Sequence, residues 1–200
     1  MNGYERRKEQ KKKDIKKAAF SLFQKQGIKE IKIEDLARHA GVSQVTIYNH
    51  FGSKEALFRE VIKEFVADEY DFHKELFHKD LSFKEKMTSS ILHKTDNIQN
   101  IHPEVIEEMM LNDEELKLFL ADFQTKYSIP LLVDLIKDAQ NNGEINPDLS
   151  MESIMVYIQL FNNNMLISMI TGENGKKLAT DIFQMFFYGL SLPIDSKEFL

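Results

Sequence analysis

An all-α fold is predicted for this 200-residue chain by three features. Proline and glycine are scarce, at four and eight residues. Runs of β-branched residues are short. Apolar residues recur at intervals of three and four, the spacing that lines one face of a helix. With 42% hydrophobic residues the chain can bury one core, or two small ones, without covalent staples. No cysteine is present, which excludes disulfides, thiolate zinc sites and cysteine nucleophiles and fits a reducing compartment.

In order along the chain, Ile15, Ala18, Ala19, Leu22 and Phe23 make one helical face that ends at Gly27. After a short connection, Ile33, Leu36, Ala37 and Ala40 make a second, stopped by Gly41. Ser43 is placed to cap a third helix running to Phe51. Ser53 is placed to cap a fourth from Lys54, with Glu55 favourable in its first turn. Longer helices are expected over roughly 54–79, 82–99, 103–111, 113–141, 151–171 and 174–190. Pro103 suits a first turn, Asp113 a cap, and Asn142-Gly143 with Pro147 a break. A two-domain layout follows, 1–62 and 63–200, sharing the fourth helix as a hinge. No run of about eighteen apolar residues suggests a membrane span, and the charged run Arg6 to Lys17 is no signal peptide. A cytoplasmic location is the expectation.

The net charge of -6 conceals an asymmetry. Residues 1–63 hold 15 Lys/Arg against 8 Asp/Glu, and residues 64–200 hold 11 against 24. Concentrated positive charge is the footprint of phosphate binding, and equally of a solvated Lys-rich tail. The Lys11-Lys12-Lys13 run carries the same two readings, tail or DNA-touching arm.

From Ala37 to Gly41 to Ile47 the spacing is that of a helix-turn-helix. Ala37 lets two helices approach, Gly41 accepts the positive φ of the turn, and Ile47 with Phe51 anchors the second helix inward. Gln44, Val45, Tyr48 and Asn49 are then left facing outward, with Thr46 and His50 nearer the edges. These are groups able to touch base edges, thymine methyls and phosphates in a major groove. Tyr48 could instead be a core aromatic and His50 a solvated edge residue; Phe51 reads as core.

The run AGVSQVTIYNHFGSKEALF from Ala40 to Phe58, preceded by Leu36-Ala37, resembles the N-terminal signature of the TetR family of transcriptional regulators, over about residues 12–62. The resemblance implies an N-terminal helix-turn-helix three-helix domain (1–62) joined to a larger helical ligand-binding and dimerisation domain (63–200). It implies double-stranded DNA as partner, with Gln44, Val45, Thr46 and Asn49 at bases or groove and Tyr48, His50 and Lys54 at phosphates. Lys54 stands at a helix N-terminus, where an anion is also favoured. Two positions depart from the family pattern. Val45 stands where Gly is frequent, and Ile31 and Lys32 replace the threonines that often open helix two, removing a capping hydroxyl.

The same resemblance implies a homodimer, which the half-site separation of about 34 Å also asks for. Phe161, Phe183, Met185 and Phe187 are the interface candidates, although they would serve equally as a core. A small apolar ligand is the expected effector, with Met109, Met110, Phe119, Phe123, Tyr127, Phe161 and Met165 as candidate lining. Asn162, Asn163 and Asn164 interrupt that apolar helix, and at least one is expected inside, where its amide needs partners. Repression released by ligand is the principal reading; regulation by a protein partner without an inducer is the alternative, and activation stays open. No cofactor, metal or enzymatic activity is expected. There is no phosphate-cradling Gly-rich loop and no serine elbow, and His73 and His78, near Asp68, Glu69 and Asp71, fall off a common helical face.

Overall fold

The computed structural model describes residues 3–161 and the short stretches 177–178, 181–182 and 184–185. Among the described residues every regular element is helical: α1 Gly3–Gln26, α2 Ile33–Ala40, α3 Gln44–Phe51, α4 Lys54–Phe77, α5 Phe83–Gln99, α6 Pro103–Glu107, α7 Glu114–Phe123, α8 Ile129–Asn141 and α9 Met151–Phe161. The first helix begins well before Ile15. The charged run from Arg6 to Lys17 is helical, and within 3–14 only Lys12 escapes full exposure. Residues 3–14 contribute nothing to the buried core, so their helicity rests on good intrinsic formers rather than on burial.

Two compact units result. The first comprises residues 1–72 and 99–124. Its core draws Ile15, Ala19 and Phe23 from α1, Leu36 and Ala37 from α2, Ile47 from α3, and Leu57, Phe58, Val61 and Ile62 from α4. Ile28 and Ile31 of the α1–α2 connection, Val105 of α6 and Leu116 of α7 complete it, so the three-helix module is packed by residues far beyond position 62 as well. Phe23 meets Phe58 edge-on at 5.3 Å and Phe20 stacks on Phe65 at 5.3 Å. Phe23 and Phe58, fully buried, contribute about 1.5–3 kcal/mol each. The second unit comprises 73–98 and the described residues from 125 onward. Phe83, Leu135, Ile136, Ala139, Ile145, Ile154 and Ile158 form its core.

Two helices expected to be continuous are interrupted. The 103–111 helix passes at Glu108–Asn112 into a π turn, and the 113–141 helix passes through a second at Gln124–Ser128. Pro130, in the first turn of α8, explains the latter. Its ring supplies no N–H and crowds the carbonyl four residues back, and a wider turn relieves both. The expected extensions of α4 to 79 and of α8 from 113 thus stop short, while 162–171 and most of 174–190 lie outside the described residues.

Asp113 is the buried charge of the first unit, at 8% exposure. It caps α7 by accepting the Leu116 N–H at 2.9 Å and accepts Arg59 Nε at 2.8 Å. Burial works against its charge, but these bonds outweigh it and hold the carboxyl below its ordinary value. Arg59 also pairs with Glu115 at 3.2 Å, and Lys63 with Glu115 at 2.9 Å. The start of α7 is thereby fixed to α4.

Candidate nucleic-acid interface

The turn between α2 and α3 is closed by local chemistry. Gly41 adopts φ 63°, and its N–H and that of Val42 return to the carbonyls of Arg38 and Ala37 at 3.3 and 2.9 Å. A Cβ at Gly41 would meet nothing within 4 Å, so glycine is required there for its conformation and not for space. Ser43 caps α3, accepting the Thr46 N–H at 3.1 Å. At the start of α2 no hydroxyl is available, and the N3 residue Asp35 compensates by accepting the Lys32 N–H at 3.2 Å.

With Ile47 fully buried, the register of α3 is fixed. Gln44, Val45, Tyr48 and Asn49 are exposed, Val45 at 64% and Tyr48 at 50%, so Tyr48 is not a core residue. Thr46 is half-buried, and its Oγ1 lies 2.8 Å from Ser43 Oγ, already within the cap. Phe51 packs against the core.

His50 sits at the far edge of α3, half-buried, with its Nδ1 enclosed and lacking a hydrogen-bond partner. Burial first, and then Lys12 and Lys8, depress its pKa below the ordinary 6.5, with Lys11 adding and Glu9 opposing. Protonation of the imidazole is thus disfavoured, in a cleft of about 410 Å³ lined by Lys12, Lys13, Lys16 and Arg59 together with Glu9, Glu60 and Glu115. Of the Lys11–Lys13 run, Lys12 and Lys13 face this cleft.

Lys54 stands apart from the other candidates. Its ammonium donates to the carbonyls of Ile28 and Ile31 at 2.8 and 2.9 Å, tying the α1–α2 connection to the first residue of α4. One of its three N–H groups is left for a phosphate. Two residues that sequence reasoning passed over lie nearby: Lys29 and Lys32 line a shallow recess of about 380 Å³ together with Tyr48 and Lys54. The available signal was a pair of lysines three apart immediately before α2.

The ligand and interface candidates are placed less completely. Met109 packs on the first unit's core. Phe119 and Phe123 lie 5.6 Å apart, Phe123 meets Tyr70 edge-on at 5.6 Å, and Lys63 Nζ sits 5.7 Å from the Phe119 ring. Met110 is exposed at 40%. Tyr127, in the second unit, is 48% exposed and Met185 is 60% exposed. Met165, Phe183, Phe187 and Asn162 to Asn164, with the side chain of Phe161, lie outside the described residues. Among the described residues no three His, Asp or Glu side chains group to hold a metal ion, and no helix is long and apolar enough to cross a membrane.

Comparison with known proteins agrees with this geometry. Residues 15–61 match the family model of bacterial regulatory proteins, tetR family. The HTH-type transcriptional repressor KstR2 of Mycolicibacterium smegmatis is 23% identical over 152 residues, 73% of each chain. In fold, the chain is similar to the fatty acid degradation regulator FadR of Bacillus halodurans, with TM-score 0.67, 18% identity, and 89% of this chain and 98% of that one covered. It is likewise similar to a TetR transcriptional regulator of Streptomyces coelicolor, with TM-score 0.61, 18% identity, and coverage of 92% and 99%. Over residues 15–61 the chain carries the helix-turn-helix module of the tetR family, and the curated relatives it resembles are HTH-type transcriptional regulators.

Proposed function

We propose that the chain is a repressor that occupies a palindromic operator as a homodimer and leaves it when a small apolar ligand binds. The observation that carries this is the outward face of α3, where Gln44, Val45, Tyr48 and Asn49 are exposed on a helix fixed by the Ser43 cap and buried Ile47. Amides of Gln44 and Asn49 suit adenine edges, and Val45 suits a thymine methyl. Tyr48, His50, Lys29, Lys32 and the remaining N–H of Lys54 suit phosphates, with Thr46 at the groove edge. Residues 1–62 carry DNA binding in this reading, and 63–200 carry ligand binding and dimerisation.

The name of the M. smegmatis relative supports repression, and the B. halodurans neighbour's role in fatty acid degradation supports an apolar effector. Phe119 and Phe123, with Met109, Tyr127, Phe161 and Met165, are the proposed ligand contacts. Phe161, Phe183, Met185 and Phe187 are the proposed dimer contacts. A ligand releases DNA only by preferring the conformer whose recognition helices are wrongly spaced, and a coupling of about 1–3 kcal/mol changes affinity about 5- to 150-fold.

Selection of bound sequences from random duplex DNA tests the reading. A palindrome with half-sites about one turn apart is expected, its affinity falling steeply with salt. Fatty acids of graded chain length, titrated onto that complex, are expected to include a releasing compound. Absence of any enriched sequence contradicts the reading. An enriched palindrome that no compound releases removes the ligand and favours regulation by a protein.

A further inference from the structure

Between α1 and α2 the chain runs irregularly through residues 28–32, and side chains from outside the helix-turn-helix take up its backbone groups. Lys54 binds the carbonyls of Ile28 and Ile31. Glu104, in the first turn of α6, binds the amides: Oε2 accepts the Ile28 N–H and Oε1 the Lys29 N–H, each at 3.2 Å. Oε1 also lies 3.5 Å from Lys29 Nζ, and the Glu104 side chain is only 13% exposed. The peptide joining Ile28 and Lys29 is thus held at its oxygen by an ammonium and at its N–H by a carboxylate. Both are charge-assisted bonds, and each polarises the peptide toward the other.

The grip is anchored at its α6 end. The His102 N–H donates to Gln24 O at 2.8 Å, and the Glu104 N–H donates to His102 Nδ1 at 3.3 Å. Gly27 leaves the space that the grip occupies. Its φ is +77°, and a Cβ there would collide with Glu104 Oε2 and come within 2.9 Å of His102 Nδ1. A Cβ here would displace the Glu104 carboxylate as well as strain the backbone, whereas at Gly41 only the conformation calls for glycine. Lys29 and Lys54, which the grip engages, also line the recess that Tyr48 borders, while Gln44, Val45 and Asn49 take no part in these contacts.

We infer that Glu104 is a positioning residue for DNA reading: its carboxylate, seated against Gly27, holds the α1–α2 connection so that α2, and α3 behind it, keep the pose that reads a sequence. The inference rests on the DNA-binding reading above. The connection sets where α2 begins. α3 follows only a short turn later and buries a single side chain completely, so its pose depends on that of α2.

Glu104→Gln is the test, because it keeps the size of the side chain but turns one acceptor into an NH₂ that opposes a backbone N–H. The probes are the duplex that the unaltered chain selects from random DNA and a scrambled duplex of equal length. At a temperature where circular dichroism shows both proteins fully folded, Glu104→Gln is expected to bind the selected duplex about tenfold more weakly. Binding to the scrambled duplex should not fall, since Lys29, which loses its carboxylate partner at 3.5 Å, stays free to meet a phosphate. Amide exchange should accelerate at Ile28, Lys29 and through α2. Gly27→Ala, which expels the carboxylate by crowding, should act in the same direction.

An unchanged ratio between the two duplexes in Glu104→Gln overturns the inference while leaving the DNA-binding reading intact. An equal loss on both duplexes also overturns it, because a change of pose would spare the nonspecific term. If the unaltered chain selects no sequence, the DNA-binding reading fails and this inference with it; unchanged exchange at Ile28, Lys29 and α2 removes the grip itself in either case.

Discussion

The helix-turn-helix, 33–51, and the segment from Pro103 to Ser128 are closed by different means. In the first, the residue that ends or opens each helix is a near neighbour: Asp35 reaches Lys32, Gly41 turns the chain, and Ser43 caps Thr46. In the second, the decisive partners are distant: Glu104 binds a peptide group 76 positions away, and Asp113 joins Arg59 54 positions away. Two π turns lie in that segment and none in the first. Local closure fixes the ends of α2 and α3 from within the module, whereas the distant closures join that module to α6 and α7.

The comparison predicts that loss of the module's buried core side chain costs most, loss of a distant closure less, and loss of a single local cap less again. Ile47→Ala removes a fully buried side chain and is expected to cost about 3 kcal/mol in thermal unfolding, with loss of DNA binding. Asp113→Ala removes both a cap and a charged hydrogen bond, and a cost of about 2 kcal/mol is expected. Asp113→Asn keeps the cap and should cost less. Because the folded carboxyl of Asp113 titrates below 3.8, its stabilisation is complete above that value and is lost as pH falls through the depressed one. The acid limb of unfolding should therefore be shallower in the Asn variant. Ser43→Ala should cost about 1 kcal/mol, the ordinary value of an N-cap.

His50 gives the smallest effect. Its folded pKa is depressed below 6.5, so the folded state resists protonation and stability is expected to decline as pH falls through 6.5 toward the folded value. Melting temperatures of His50→Gln should decline less over that window. An identical decline in both proteins would show that protonation of His50 is not disfavoured beside Lys8, Lys11 and Lys12.

The same difference decides what was legible in the sequence. Helix ends marked by Gly27, Gly41, Ser43 and Ser53 depend on the residue itself and its neighbours, and the inward register of Ile47 follows from helical spacing. The outward placement of Gln44, Val45, Tyr48 and Asn49 was therefore readable, as was the N-cap at Asp113. Lys54 was read as a phosphate contact, but its carbonyl partners at Ile28 and Ile31 come from a loop whose path no local pattern specifies. Glu104 showed no signal at all, since its role depends on the space at Gly27. The π turn before α8 was announced by Pro130, which hydrophobic periodicity overlooks.

The central claim is that the exposed face of α3 reads bases, and repeating the selection from random duplexes with Gln44→Ala and Asn49→Ala tests it most directly. Each variant is expected to lose about 1–3 kcal/mol of discrimination at one position of each half-site, with binding to scrambled duplex and the salt dependence unchanged. Recovery of the unaltered preference at every position by both variants would contradict it.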